Sequence, residues 1–357
     1  MKNHISQFLG LALLAGAVSA SAQVTIAPLT SFGTGGWLAP GSSGLVTGSA
    51  DRGLAFAGNY VYYASGSQVF EIDPITGALI GGLTTGFSGG TIAVDALAAG
   101  GDGTLYVGNL TTSGTSPFKV YAYVNPADLL TAPTVVYNAN PGGGSTRLGD
   151  TLAAIGSGTS TYLVAGSGAG AGGYTVINQG VGTAVGVAGT PIPGFNRGIT
   201  FVNASQVIGS GTGIYYNTTF SGATGTLLGS PSIPDPAGNT ADRMLSYNVL
   251  NGQALLAVQS FGDSHVSLYN MTDPNNPVYI AALNNTVSPG SNANGTGQLA
   301  WGAVTSYPDG SASQILYALS SGQGIQAFVV TVPEPATVSL IALGGLAALA
   351  FRNKLRR

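Results

Sequence analysis

The strongest constraint on this chain is a strand that keeps returning. An apolar run ending in Asp or Asn occurs as Val69-Phe70-Glu71-Ile72-Asp73, Tyr121-Ala122-Tyr123-Val124-Asn125, Tyr174-Thr175-Val176-Ile177-Asn178, Ile214-Tyr215-Tyr216-Asn217 and Val266-Ser267-Leu268-Tyr269-Asn270. The closing Asx residues are 52, 53, 39 and 53 residues apart, and a sixth copy at 325–329 lacks the Asx. Asp or Asn at a strand end closes a turn with its own side chain, and Pro74 and Pro126 preset the backbone that follows. Another strand precedes each copy (60–64, 104–108, 161–165, 206–209, 254–258, 315–319), and a further one follows, as at 78–84 and 278–284. With the first strands described below, that makes four strands per unit of about 50 residues, the size of a propeller blade.

The sixth unit runs out after three strands. Residues 24–30 look like the outer strands 79–84 and 278–284, and Pro28 suits a sheet edge. An N-terminal strand that completes the last unit would close the ring and remove its open edges. The prediction is an all-β fold, a six-bladed β-propeller over 23–331, with imperfect repeats leaving seven blades open. A parallel β-helix normally repeats at half this length. A transmembrane barrel needs strands of about 9–11 residues, and these are shorter.

Composition narrows the classes further. Glycine is 57 of 357 residues with no three-residue period, which excludes collagen, and 44% apolar residues suffice for a core. Cysteine is absent, so disulfides, thiol catalysis and thiolate zinc sites are excluded.

The two ends read as addresses. Residues 1–22 read as a helical signal peptide: Lys2 and His4, an apolar run over 8–18, and Ala20-Ser21-Ala22 in the small-x-small cleavage pattern. At the other end Val332-Pro333-Glu334-Pro335-Ala336 precedes an apolar stretch, 337–351, and a tail bearing Arg352, Lys354, Arg356 and Arg357. The prolines favour an extended backbone, as a protease needs. The apolar stretch would form a short helix in the bilayer with its basic end on the cytoplasmic side. At 15 residues it is short for a permanent span of about 20, and the alternative is an uncleaved single-pass anchor accommodated by bilayer thinning.

This terminal arrangement (332–357) resembles the PEP-CTERM sorting signal of exported bacterial proteins. The resemblance implies cleavage near Pro333-Glu334-Pro335 by a membrane-embedded exosortase; signal peptidase is the enzyme expected at Ala20–Ala22. It also implies a Gram-negative cell that makes extracellular polysaccharide. The middle of the chain resembles propeller-like domains of PEP-CTERM proteins, which bring no assigned activity.

Aligning the first strand of each unit gives Arg52-Gly53-Leu54, Asp95-Ala96-Leu97, Asp150-Thr151-Leu152, Arg197-Gly198-Ile199, Arg243-Met244-Leu245 and Trp301-Gly302-Ala303. Around the ring one position therefore reads Arg52, Asp95, Asp150, Arg197, Arg243, Trp301. Three of the five basic residues between 23 and 331 fall there. First strands line the axis of a propeller, so Arg52–Asp95 and Asp150–Arg197 are expected as inter-blade ion pairs that define ring closure. The alternative is a polar ligand site at the channel mouth, with Arg forks for carboxylates or glycan hydroxyls.

Catalytic constellations are sparse. His265 is the only histidine after the signal peptide, and it lies in an alternating strand. Glu71 is the only glutamate before the sorting motif, and no calcium loop, phosphate loop or dinucleotide fingerprint occurs. No metal or other cofactor is expected. Between 23 and 331 there are five basic and 12 acidic residues without a basic stripe, which disfavours nucleic acid as a partner. The reading is a non-catalytic surface, glycan-binding or structural protein exported across the inner membrane to the envelope, outer surface or matrix. Its expected partners are the two processing enzymes, the membrane at least transiently, and an extracellular polysaccharide. The alternative is a hydrolase or lyase acting on that polysaccharide.

Overall fold

The computed structural model describes residues 23–334, apart from 84–85, 141, 143–144, 169–171, 189–194, 212–214, 231–232, 234–242, 284–289 and 293. Both expected terminal helices lie outside the described residues, with Ala20, Ala22, Pro335, Arg352, Lys354, Arg356 and Arg357. Among the described residues the only helical element is one 3-10 turn, Gly158–Ser160, and no helix is long and apolar enough to cross a membrane.

The strands follow in chain order as antiparallel meanders. After β1 (Thr25–Pro28) and β2 (Trp37–Leu38) come β3 (Asp51–Ala57), β4 (Tyr60–Ser65), β5 (Gln68–Ile72) and β6 (Leu79–Gly82), then β7 (Ile92–Ala99), β8 (Leu105–Leu110), β9 (Phe118–Tyr123) and β10 (Thr134–Ala139). Next are β11 (Leu148–Ile155), β12 (Tyr162–Ser167), β13 (Gly173–Asn178) and β14 (Val181–Ala188), and β15 (Gly198–Asn203), β16 (Gln206–Ser210), β17 (Tyr215–Ser221) and β18 (Thr224–Gly229). The chain ends with β19 (Arg243–Leu250), β20 (Gln253–Ser260), β21 (Val266–Asn270) and β22 (Val278–Leu283), and with β23 (Gly297–Ser306), β24 (Ala312–Ser320) and β25 (Gly324–Val332).

Tight turns set the meander geometry. Gly58-Asn59 (φ 53° and 80°) and Asn251-Gly252 (φ 50° and 77°) each put two successive residues in the left-handed region, as a two-residue hairpin requires. Asp73 accepts bonds from the Ile75 and Thr76 N–H groups, and Asn270 accepts one from Thr272, closing the turns expected of strand-end Asx residues. Asn217 differs: it lies inside β17, buried, and its amide bonds Gln206 and Asn275.

The arrangement is propeller-like. The first strands β3, β7, β11, β15, β19 and β23 each touch the next, and β23 touches β3. An apolar cluster fills the space between neighbouring meanders, because each sheet buries both faces. Phe32, Leu54, Tyr63 and Tyr317 join the last meander to the first, and Tyr174, Phe195 and Tyr216 join the third to the fourth. Each such fully buried large side chain contributes roughly 1.5–3 kcal/mol.

Ring closure follows the expected route. β1 pairs antiparallel with β25 in the register Thr25↔Thr331 to Pro28↔Phe328, and Trp37–Leu38 pair with Gln326 and Ile325 farther along the same edge. β1 is the last strand of its sheet, so Pro28 interrupts no ladder beyond it. One join is not legible in the repeats. β14 and β18, outer strands of neighbouring meanders, pair in parallel over Gly186↔Thr224 to Ala188↔Thr226, making one eight-stranded sheet. Gly225 permits it, since a Cβ there would meet Val187 Cγ2 at 2.7 Å.

Candidate functional site

The six first strands surround a cavity of about 520 Å³ on the ring axis. Its two ends differ. At the end where these strands begin, the lining is buried; toward their far ends exposure rises, as in β11 over Ala153–Ile155, in β19 over Ser246–Val249 and in β23 beyond Gly302. The cavity therefore opens at the far end of the ring.

At the near end lies an ion-pair cluster. Arg52 Nε contacts Asp95 Oδ1, its Nη2 lies 3.5 Å from Asp150 Oδ1, and Arg147 grips Asp150 through Nε (2.5 Å) and Nη2 (2.6 Å). Arg52 and both carboxylates are at most 8% exposed. Each of the three strands has a register shift at its charged residue: between Asp51 and Leu54, between Ile92 and Ala96, and between Leu148 and Leu152. A bulge re-aims side chains, and here three consecutive bulges turn charged groups toward one point. Gly149 (φ 108°) makes the approach of β11 feasible, because a Cβ there would lie 2.0 Å from the Asn109 carbonyl oxygen.

The expected ring is therefore half assembled. Arg52–Asp95 forms as expected, but Asp150 pairs with Arg52 and Arg147 rather than with Arg197. The bulge in β11 faces Asp150 back toward β3, and Arg197, just before β15, donates to the Gly295 carbonyl at 3.4 Å. Arg243 opens β19 opposite Ser260. Trp301 is not part of this layer. Its rung, Trp301↔Leu316, matches Tyr247↔Leu256 and Phe56↔Val61, and the residue opposite the strand-end Ser320 is Gly297. The counterpart of Arg243 in the sixth unit is thus Gly297, four residues before Trp301, and Trp301-Gly302 only mimics the Arg-Gly pairs at 52–53 and 197–198.

That shift hid a residue that crosses the axis. Gln298 Oε1 accepts hydrogen bonds from the N–H groups of Leu54 (3.0 Å) and Leu97 (3.1 Å), and its Nε2 donates to the carbonyls of Leu97 and Leu152 (2.9 Å). One carboxamide thereby joins β23 to β3, β7 and β11, on the inner side of the ion pairs.

Burial pushes the Asp95 carboxyl up to about 7, outweighing the attraction of Arg52, and the nearby Asp150 charge adds to the rise. Burial also raises Asp51 and Glu71, the latter although Tyr62 donates a 2.9 Å hydrogen bond to it. A carboxyl raised in the folded state holds its proton longer than in the unfolded chain. Its contribution to stability is thus present below the unfolded value of 3.8 and is lost as pH rises toward about 7. The melting temperature is expected to fall between pH 4.5 and 7.5, and Asp95→Asn to flatten that slope. An unchanged slope in thermal melts of the variant would remove Asp95 as its source.

The far end has a different chemistry. Phe56, Tyr247 and Trp301 line it on one level, with Asn248 and Gln314 beside them. Phe56 stacks on Tyr317 (centroids 6.2 Å apart, planes 10° apart), and Trp301 Nε1 donates to the Ser246 carbonyl at 3.4 Å. Asn248 Nδ2 donates to Gln314 Oε1 at 2.6 Å, and Gln314 Nε2 donates to the Gly302 carbonyl at 2.7 Å. No carboxylate or histidine lines the cavity among the described residues; Arg197 is its only charged lining residue. His265 lies elsewhere, in the β20–β21 turn, with Nδ1 2.6 Å from Asp263 Oδ1. Among the described residues no group of three or more His, Asp or Glu side chains is placed to hold a metal ion.

Residues 331–357 match the PEP-CTERM protein-sorting motif, a signal for exosortase processing that implies export to the cell envelope or surface. No curated protein matches the chain by sequence. Among solved structures it is similar to a DUF4623 family protein from Bacteroides eggerthii (16% identity, TM-score 0.59, covering 80% of this chain and 71% of that one). It is also similar to the major allergen Mala s 1 from Malassezia sympodialis (11% identity, TM-score 0.51, 80% and 93% covered). A third similar structure is a mutant of AofleA from Arthrobotrys oligospora (11% identity, TM-score 0.50, 88% and 89% covered). At these identities the likeness concerns the fold.

Proposed function

We propose that the exported domain is a six-bladed β-propeller, closed by β1, that binds a glycan without cleaving it. Six blades account for the cycle of six first strands and for the apolar clusters between neighbouring meanders. The observation that carries the binding reading is the asymmetry of the axial cavity: ion-paired and crossed by Gln298 at one end, open and aromatic at the other. About 520 Å³ suits a small ligand or the end of a longer one. Aromatic faces such as Trp301 and Tyr247 pack against the C–H faces of a sugar ring, while amides such as Asn248 and Gln314 bond its hydroxyls. Among the described residues the lining holds no carboxylate or histidine to form a pair for general acid–base cleavage, which favours binding over hydrolysis.

The test is calorimetric titration of the purified 23–334 domain with a panel of oligosaccharides and with the producing cell's own polysaccharide. Binding of at least one sugar without new reducing or unsaturated ends is expected. Trp301→Ala should weaken it tenfold or more, about 1.4 kcal/mol. New ends would transfer the site to a hydrolase or lyase. No binding at millimolar sugar, or binding indifferent to Trp301→Ala, would refute the assignment.

A further inference from the structure

The place where the sorting motif leaves the domain carries a consequence for access to the cavity. β25 ends at Val332, which pairs with Ala312, and Ala312 pairs with Ser306 of β23. Val332 is therefore level with the far end of a first strand, five residues beyond Trp301, on the face that bears the open mouth. The next two residues belong to that face as well. Asn251 Nδ2 donates to the Pro333 carbonyl and to the Gly310 carbonyl, each at 3.0 Å. This one amide ties the chain's exit to the β19–β20 and β23–β24 turns. Asn251 is fixed by its left-handed turn with Gly252, and the Glu334 side chain lies over Gly310, where a Cβ would come within 2.8 Å of Glu334 Cγ.

Only Pro335 and Ala336 then separate the folded face from the apolar stretch that starts at residue 337. From Glu334 to residue 337 the chain extends at most roughly 10 Å. From its sequence, the apolar stretch followed by four basic residues is expected to enter the bilayer with the basic end on the cytoplasmic side. We propose that, before processing, this short tether holds the mouth-bearing face of the ring against the membrane, and that cleavage of the sorting motif uncovers it. The orientation does not depend on the ligand; the consequence for sugar access rests on the binding reading above.

Charge bears on what happens next. The far-end turns carry Asp73, Asp102, Asp128, Asp273 and Asp309, and no Lys or Arg lies in any far-end turn among the described residues. Such a face has no electrostatic attraction for anionic lipid, so only the covalent tether keeps it there. The freed domain departs with its mouth open.

The chain has no cysteine, so single labels are unambiguous. Asp309→Cys marks the far face and Thr146→Cys the near end, separated by about 30 Å along the strands. The full chain carrying a donor dye at either position is reconstituted into anionic phospholipid vesicles containing an acceptor-labelled lipid. Strong energy transfer from position 309 and weak transfer from 146 are expected. A 20-residue Gly/Ser insertion after Ala336 should erase the difference, and a domain ending at Glu334 should show no transfer. Equal transfer from both positions, stronger transfer from 146, or indifference to the insertion would overturn the proposal. Sugar titration of the same vesicles separates the two readings. Binding by the extended but not the short-tethered precursor supports occlusion, and binding by both overturns it. Binding by neither, with the label asymmetry intact, counts against the sugar site and leaves the orientation standing.

Discussion

Arg52→Ala is expected to lower the stability of the domain by about 3–5 kcal/mol near pH 8, the usual cost of stripping one partner from a buried ion pair. For a domain of this size the melting temperature should drop by roughly 5–8 °C. The loss should shrink toward pH 5. Asp95, left without Arg52, escapes its uncompensated charge by taking up a proton, and its carboxyl is already raised in the intact protein. Asp150 keeps Arg147 as partner, so the damage centres on Asp95. The double variant Arg52→Met/Asp95→Leu removes both charges at once and should recover most of the loss. Thermal melts at pH 5 and pH 8 decide it: an Arg52→Ala penalty that is absent, or that does not vary with pH, would show that the pair does not hold the first two blades together.

The second large effect is expected at Gln298. Gln298→Leu keeps approximate volume but leaves the N–H groups of Leu54 and Leu97 and the carbonyls of Leu97 and Leu152 without their shared partner. Each unsatisfied buried group costs about 1–3 kcal/mol; with water from the axial cavity reaching some of them, the sum should be about 2–4 kcal/mol. Gln298→Glu separates hydrogen bonding from packing. An ionised carboxylate still accepts from the two N–H groups but faces two carbonyls with no proton to offer, whereas the protonated acid restores a donor. This variant should therefore gain stability relative to the parent as pH falls from 7 to 5. Denaturant midpoints of the three proteins at both pH values provide the check, and Gln298→Leu within 0.5 kcal/mol of the parent would reduce Gln298 to a bystander.

Much of this architecture was legible beforehand. Strand positions came from apolar runs bounded by turn residues, and the short sixth unit pointed to a completing strand near the N-terminus, found as β1 against β25. The Arg52–Asp95 pair was readable because the two residues occupy one repeat position on adjacent units. The level of Trp301, and the place of Gln298, Phe56 and Tyr247 beside it on the cavity wall, are not legible in the repeats. Bulges at Asp51–Leu54, Ile92–Ala96 and Leu148–Leu152 insert residues that a pattern of period two does not count. In an ungapped alignment of weak repeats, Gly302 falls beside Gly53 and Gly198, although the strand register sets it four residues farther along.

By itself the chain of residues determined what depends on local pattern: strand, turn, repeat length and the C-terminal sorting motif. Hydrophobic alternation and turn chemistry act within a few residues, so they are written where they act. Tertiary structure alone decided which end of the axis is closed and which is open. Gln298 meets partners 146 to 244 residues away, and Asn251 meets Pro333 across 82. Contacts of that range depend on ring closure and on the summed offsets of several bulges, and no local signal encodes that sum.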